Sequence, residues 1–446
     1  MRLSRLAALF ATTLFACQTQ AADLLQVYRE ALANDAVFAS ARAALTAGAE
    51  RAPQGLAGLL PNVGVTGSYV RTDGTVDISS LNVRRDSGAT VNSYTVSLAQ
   101  PLLRWANWET YQQGKLLTAV SEAQFAQAQQ DLIVRVAQAY FDVLAAQDVL
   151  ATVQAQKVAI TEQLASAKRN FEVGTATITD SQEAQARYDL AEAQESAAMN
   201  DLEVKRSALQ QIIGRPAGDL ATLKPGLLLP RPDPERMEPW IDSAETRNYG
   251  VMAQQLSLEV ARREISKNRA GHYPTLDLVA SRTHSNQTGV LPTAVNQASG
   301  IVSNTSNIGV QWNIPLFSGF AVTSRVRESI ALEERSRADL ENARRVATQG
   351  ARQAFLGINS GLAQVRALQA AEVSSQSALE SNRLGYQVGV RINIDVLNAQ
   401  QQLYATRRDL ARARYDTLVN SLRLKSAAGV LREEDLAQVN ALLQSF

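Results

Sequence analysis

Side chains equipped for chemistry are sparse in this 446-residue chain. His272 and His284 stand in no cluster of Cys, His, Asp or Glu at ligand spacing, and Cys17 is the only thiol, so no metal site is expected. There is no phosphate-cradling Gly-rich loop, no Ser/His/Asp or Cys/His set and no pair of acids in a plausible cleft. Neither an enzyme nor a cofactor is expected. The densest chemistry lies in Tyr386-Gln-Val-Gly-Val-Arg-Ile-Asn-Ile-Asp395-Val-Leu-Asn-Ala-Gln400, which gathers a phenol, a guanidinium, a carboxylate and several amides around Gly389. Such groups hold or repel charge and turn nothing over. Taken alone they read as solvated helix-end charges.

That stretch is one of a pair. Phe171-Glu-Val-Gly-Thr-Ala-Thr-Ile-Thr-Asp180-Ser-Gln-Glu-Ala-Gln185 lies 215 residues upstream, with Val173/Val388, Gly174/Gly389, Asp180/Asp395, Ala184/Ala399 and Gln185/Gln400 in register. Tyr140 to Phe355 and Gly214 to Gly429 keep the same offset of 215, so the whole chain is a tandem duplication. Each glycine turns a hairpin of long helices. From Leu132, steps of four and three fall on Val136, Ala139, Val143, Ala146, Leu150, Val153, Lys157, Ile160, Leu164, Ala167 and Phe171, an apolar heptad seam broken only by Lys157. A helix of about 65 residues would be roughly 100 Å long. Glu372 stands 215 residues after Lys157, so a wet polar layer is expected in both seams; contact with a partner is the alternative.

Ahead of each hairpin the period changes to two. Strands are expected at 62–71 and 91–101, with Thr72 to Ala89 as a polar loop, and at 274–283 and 305–315, with Thr283 to Asn304 as another. Helices are expected from Asp23 to about Ala57 and from Trp240 to about Ala270. The division is then 22–222 for the first repeat, 223–239 for a linker rich in proline, 240–429 for the second repeat and 430–446 for a C-terminal segment. Residues 1–21 read as an export signal: Arg2 and Arg5, an apolar run from Leu6 to Phe15, and Thr19-Gln20-Ala21 as the cleavage site. Leu14-Phe15-Ala16-Cys17 offers the alternative of lipidation at Cys17. The net charge of +1 gives no basic field, so no nucleic acid is expected. Four strands with one apolar and one small-polar face cannot close a barrel, so a membrane reading requires copies to pool strands, giving 8, 12 or 16. A soluble sandwich is the plainer alternative. Trp105, Trp108 and Tyr111 fit an interfacial belt or a buried strand-to-helix joint.

Together with Asp409-Leu-Ala-Arg-Ala-Arg-Tyr-Asp416 and Leu424-Lys-Ser-Ala-Ala-Gly429, the two Val-Gly…Asp…Ala-Gln turns resemble the TolC family of outer-membrane channel-tunnel proteins, over essentially the whole chain after residue 21. The resemblance implies an α+β membrane protein: long antiparallel coiled-coil helices in tandem, and four strands per chain that a homotrimer closes into a shared 12-stranded barrel. It implies an exit duct in the outer membrane whose helical tunnel lies in the periplasm. Its implied partners are outer-membrane lipid, a periplasmic adaptor, and an inner-membrane efflux pump or ABC exporter. It further implies a closed-state latch between neighbouring coiled coils, here Tyr386, Arg391 and Asp180 with Thr179, and a pore constriction at Asp395 and Asn398. The family has a second Asp where this chain has Asn398, so the acidic ring is halved. Charged rings at a narrow pore set ion selectivity. A periplasmic coiled-coil scaffold or adaptor without a barrel is the competing expectation.

Overall fold

The computed structural model describes residues 21–78, 83–289 and 300–444; the expected export signal up to residue 20, with Cys17, lies outside them. The N-terminal segment is divided where one helix was expected: α1 (Leu24–Asn34), α2 (Ala36–Ala49) and α3 (Arg51–Ala57). Asp35 makes the first break, because its side chain accepts from Val37 N at 3.0 Å and competes with the helix for that donor. Pro53 sits in the first turn of α3, where its missing N–H is harmless.

Two antiparallel hairpins of strands follow the same logic in each half. β1 (Asn62–Ile78) pairs with β2 (Val83–Leu103). Next come α4 (Trp105–Glu172), α5 (Ile178–Ile213) and the short β3 (Thr222–Leu223). The second half holds α6 (Glu238–Arg247), α7 (Tyr249–Arg269), β4 (Thr275–Gly289), β5 (Ile301–Asn313), α8 (Ala321–Gln387), α9 (Asn393–Ala427), α10 (Glu433–Asn440) and β6 (Leu443–Gln444). Asn248 separates α6 from α7 by capping the latter, accepting from Gly250 N and Val251 N.

The strands run further than period-2 patterning indicated. Where Thr72 to Ala89 was expected as a loop, 72–78 and 83–89 continue the ladder, with Thr72 facing Ala89, Asp73 facing Gly88 and Ile78 facing Val83, while 79–82 lie outside the described residues. Likewise Thr283 faces Thr305 and Gln287 faces Ile301. Polar side chains are at home there because they bond across strands, as Thr95 does with Thr283 at 2.9 Å and His284 Nδ1 with Asn304 at 2.7 Å. The sheet order is β1-β2-β4-β5, so β2 and β4 join the repeats, and among the described residues both outer strands keep an unpaired edge. Every residue of β5 is exposed; Ile308 is 80% and Trp312 68% accessible. Trp105 and Trp108, just after β2, are also exposed, so the joint is not buried within the chain. Among the described residues no helix is long and apolar enough to cross a membrane.

Packing divides the chain into two units. One takes the chain up to Ser40, Ala128–Ala244 and the chain from Thr348; the other takes Ala41–Gln127 and Glu245–Ala347. Each unit therefore draws on both repeats. The second holds the four-stranded sheet. The first holds both helical turns, β3 paired with β6, and a core in which Tyr140 donates to Ala221 O at 2.7 Å while Phe141 stacks on Tyr415. Tyr415 donates to Asp148 Oδ2 at 2.7 Å and so ties α9 to α4; burial nonetheless pushes the Asp148 carboxyl up.

Candidate functional site

The heptad seam of α4 is buried at Leu132, Val136, Val143, Ala146, Val153, Ile160, Leu164 and Ala167, and opens at Phe171 beside the turn. Lys157 is the expected wet layer: its Nζ lies 2.9 Å from Glu195 and 3.5 Å from Glu192 of α5. In the other hairpin Arg407 Nε lies 3.0 Å from Glu372. The layer is thus repeated with its charges exchanged between the outgoing and returning helices of the hairpin.

Both helices then end on a left-handed glycine, Gly174 at φ 75° and Gly389 at φ 80°. Thr175 N donates to Asn170 O at 2.8 Å, and Val390 N to Gly385 O at 2.9 Å, which satisfies carbonyls the helix leaves free. A Cβ at Gly174 or Gly389 would meet nothing within 4 Å, so conformation and not space requires glycine there. Gly385 is different. A Cβ on it would stand 2.7 Å from Arg391 Cγ, so its bareness seats the arginine stem.

The returning helices start differently. In α5, Thr177 Oγ1 accepts from Asp180 N at 3.3 Å while Asp180 Oδ2 accepts from Thr177 N at 3.1 Å and Thr177 Oγ1 at 2.9 Å, a reciprocal capping box. In α9 the cap is Ile392, with no side chain to offer, and Asp395 is left to face Arg391 Nη1 at 3.7 Å.

A cleft of about 730 Å³ is lined by Asp180, Tyr386, Gly389 and Arg391 together with Asn170 and Asn393. Three of the four residues expected to form a latch therefore converge, with Thr179 exposed beside Asp180. Within one chain their contacts go elsewhere. The Asp180 carboxylate is taken by its own helix start, Tyr386 Oη accepts from Asn170 Nδ2 at 3.3 Å, and Arg391 faces Asp395. A buried tie between the hairpins is Asn393, whose Oδ1 accepts from Gln163 Nε2 and whose Nδ2 donates to Asp180 O at 3.2 Å. Asn398, expected at the constriction with Asp395, is exposed and accepts from Arg187 Nη2 at 3.0 Å. Sequence reading passed over Asn170, Asn393, Gly385 and Arg187. The signal was present for Asn393, a lone amide between Ile392 and Ile394, and for Gly385, a second glycine four residues before the turn.

Residues 27–215 and 240–430 each match the family model described as outer membrane efflux protein. The chain is 34% identical over 435 residues to outer membrane protein TolC of Escherichia coli (strain K12), across 96% of this chain and 86% of that one. The proteases secretion protein PrtF of Dickeya chrysanthemi is 35% identical over 434 residues, 96% of this chain and 92% of that one. Among solved structures, the CmeC outer membrane channel of Campylobacter jejuni shares the fold at a TM-score of 0.79 and 18% identity, over 94% of this chain and 90% of that one.

Proposed function

The chain belongs to the outer membrane efflux protein family, and from that premise we propose that it is the outer-membrane exit duct of an efflux pump or a type I secretion system. It is a passive conduit, opened at its helical end by partners. The observation that carries this reading is the sheet: four antiparallel strands with both outer edges unpaired and bulky apolar residues such as Ile308 and Trp312 exposed. An unsatisfied backbone group in hydrocarbon costs several kcal/mol, so these edges must be closed by other copies. Pairing β5 of one copy with β1 of the next in a homotrimer gives a barrel of twelve strands, to which each repeat contributes two.

The paired turns form the gate. Across neighbouring coiled coils, Asp180 and Thr179 receive Tyr386 and Arg391, a latch whose Arg–carboxylate geometry is specific and breakable. Asp395 contributes one carboxylate per copy at the mouth, with neutral Asn398 one turn further on. Docking of a periplasmic adaptor, itself tied to an inner-membrane pump or ABC exporter, releases the latch. The likeness to a protein named for protease secretion supports including folded or unfolded polypeptide among the cargo classes.

Fractionation and planar-bilayer recording test the reading together. The expected protein needs detergent for extraction, runs as a trimer and forms small, long-lived channels; a monomer released without detergent overturns it. Tyr386→Phe combined with Arg391→Ser should then raise single-channel conductance, and unchanged conductance removes these residues from the gate.

A further inference from the structure

α5 and α9 come close because Ala184 and Ala191 are small and buried, packed in one cluster with Leu397 of α9 and Ile160 of α4. Arg187 lies three residues after the first alanine and four before the second, so it shares their face. From there Nη1 donates to Gln401 Oε1 at 2.6 Å and Nη2 to Asn398 Oδ1 at 3.0 Å. Asn398 and Gln401 are themselves three residues apart and neighbours on one face of α9. A planar guanidinium, with its donors fixed in a fork, spans that turn; an ammonium cannot.

We infer that Arg187 is a further gate residue, which acts through Asn398 and Gln401 to clamp the first hairpin to the second at the mouth. The inference rests on the conduit reading above. Both acceptors are neutral, so this clamp resists salt, whereas a pair such as Arg391 with Asp395 at 3.7 Å is screened. Asp395 precedes Asn398 by one turn on the same face of α9. The guanidinium therefore also places positive charge near the carboxylate and lessens its pull on cations. At this level the mouth is closed by amides and one arginine per copy, in place of a second acidic ring.

The test is planar-bilayer recording of the full-length protein with Arg187→Ala, Arg187→Lys, Asn398→Ala and the double variant Arg187→Ala with Asn398→Ala. Arg187→Ala should raise the open-to-closed ratio about threefold to tenfold, the size of one or two lost hydrogen bonds, and shift the reversal potential toward cation selectivity. Arg187→Lys should recover the selectivity but only part of the closure. The double variant should open no more than Arg187→Ala, because the arginine acts on Asn398. Arg187→Ala or Asn398→Ala recording like the wild type, Lys replacing Arg without loss, or single effects that multiply in the double variant would each overturn the clamp. Wild-type protein that forms no channel overturns the conduit reading and the clamp with it; channels present but indifferent to Arg187 overturn the clamp alone.

Discussion

The two helical turns share a backbone and differ in chemistry. Both use a left-handed glycine and the same pattern of closing hydrogen bonds, yet the four residues after them reverse polarity. Thr177-Ile178-Thr179-Asp180 puts a hydroxyl at the cap and leaves Ile178 49% exposed, whereas Ile392-Asn393-Ile394-Asp395 leaves the cap apolar and 61% exposed and buries Asn393 completely. In the first turn the acid serves its own helix. In the second, the acid is free of that duty and the amide reaches across to α4 and to the backbone of α5. The duplicated hairpins share a frame; an exchange of polar and apolar residues at three successive positions turns one cap inward on its own helix and sends the other's amide across to the neighbouring hairpin.

The largest test of that contrast is Asn393→Leu, which takes the partner from the half-buried Gln163 amide and the second donor from the Asp180 carbonyl, at about 1–3 kcal/mol in all. Hydrogen exchange at the starts of α5 and α9 should accelerate tenfold or more, by about that energy. Ile178→Asn at the matching exposed position should stay within about 0.5 kcal/mol. Equal responses would dissolve the asymmetry. Next in size, Gly174→Ala and Gly389→Ala should each cost about 1–2 kcal/mol, and should cost the same, since neither position is crowded. A clear inequality in denaturation would show that one turn is held by contacts instead of by its backbone. The smallest effect is expected from the caps. Thr177→Val should loosen the first turn of α5 by about 1 kcal/mol, while Ile392→Thr should build a box with Asp395, protect the first turn of α9 by a similar or lesser amount, and draw the carboxylate away from Arg391. Exchange rates in those turns measure both.

Much of this molecule is legible in order along the chain. The seam from Leu132 to Ala167, the 215-residue repeat and the turn glycines all depend on residues near one another or on plain identity, and the hairpins follow. Strand ends were less legible, because Thr72, Asp73, Gly74 and Thr75, like Ser87 and Gly88 opposite, signal a loop until a partner strand supplies their hydrogen bonds. Asp35 and Asn248 broke helices through side-chain bonds that periodicity does not register.

What the sequence determined by itself was the set of parts: four strands, two long hairpins, left-handed turns, and an acid three residues into each returning helix. These are local matters of period, φ preference and composition. Which groups the parts present to each other was decided only in three dimensions. Asn393 finds Gln163 across 230 residues, Asn398 finds Arg187 across 211, and Tyr386 finds Asn170 across 216. Such choices depend on how closely helices approach, which small residues such as Ala184 and Ala191 permit, and a hydrogen bond exists only when that approach brings donor and acceptor within about 3 Å.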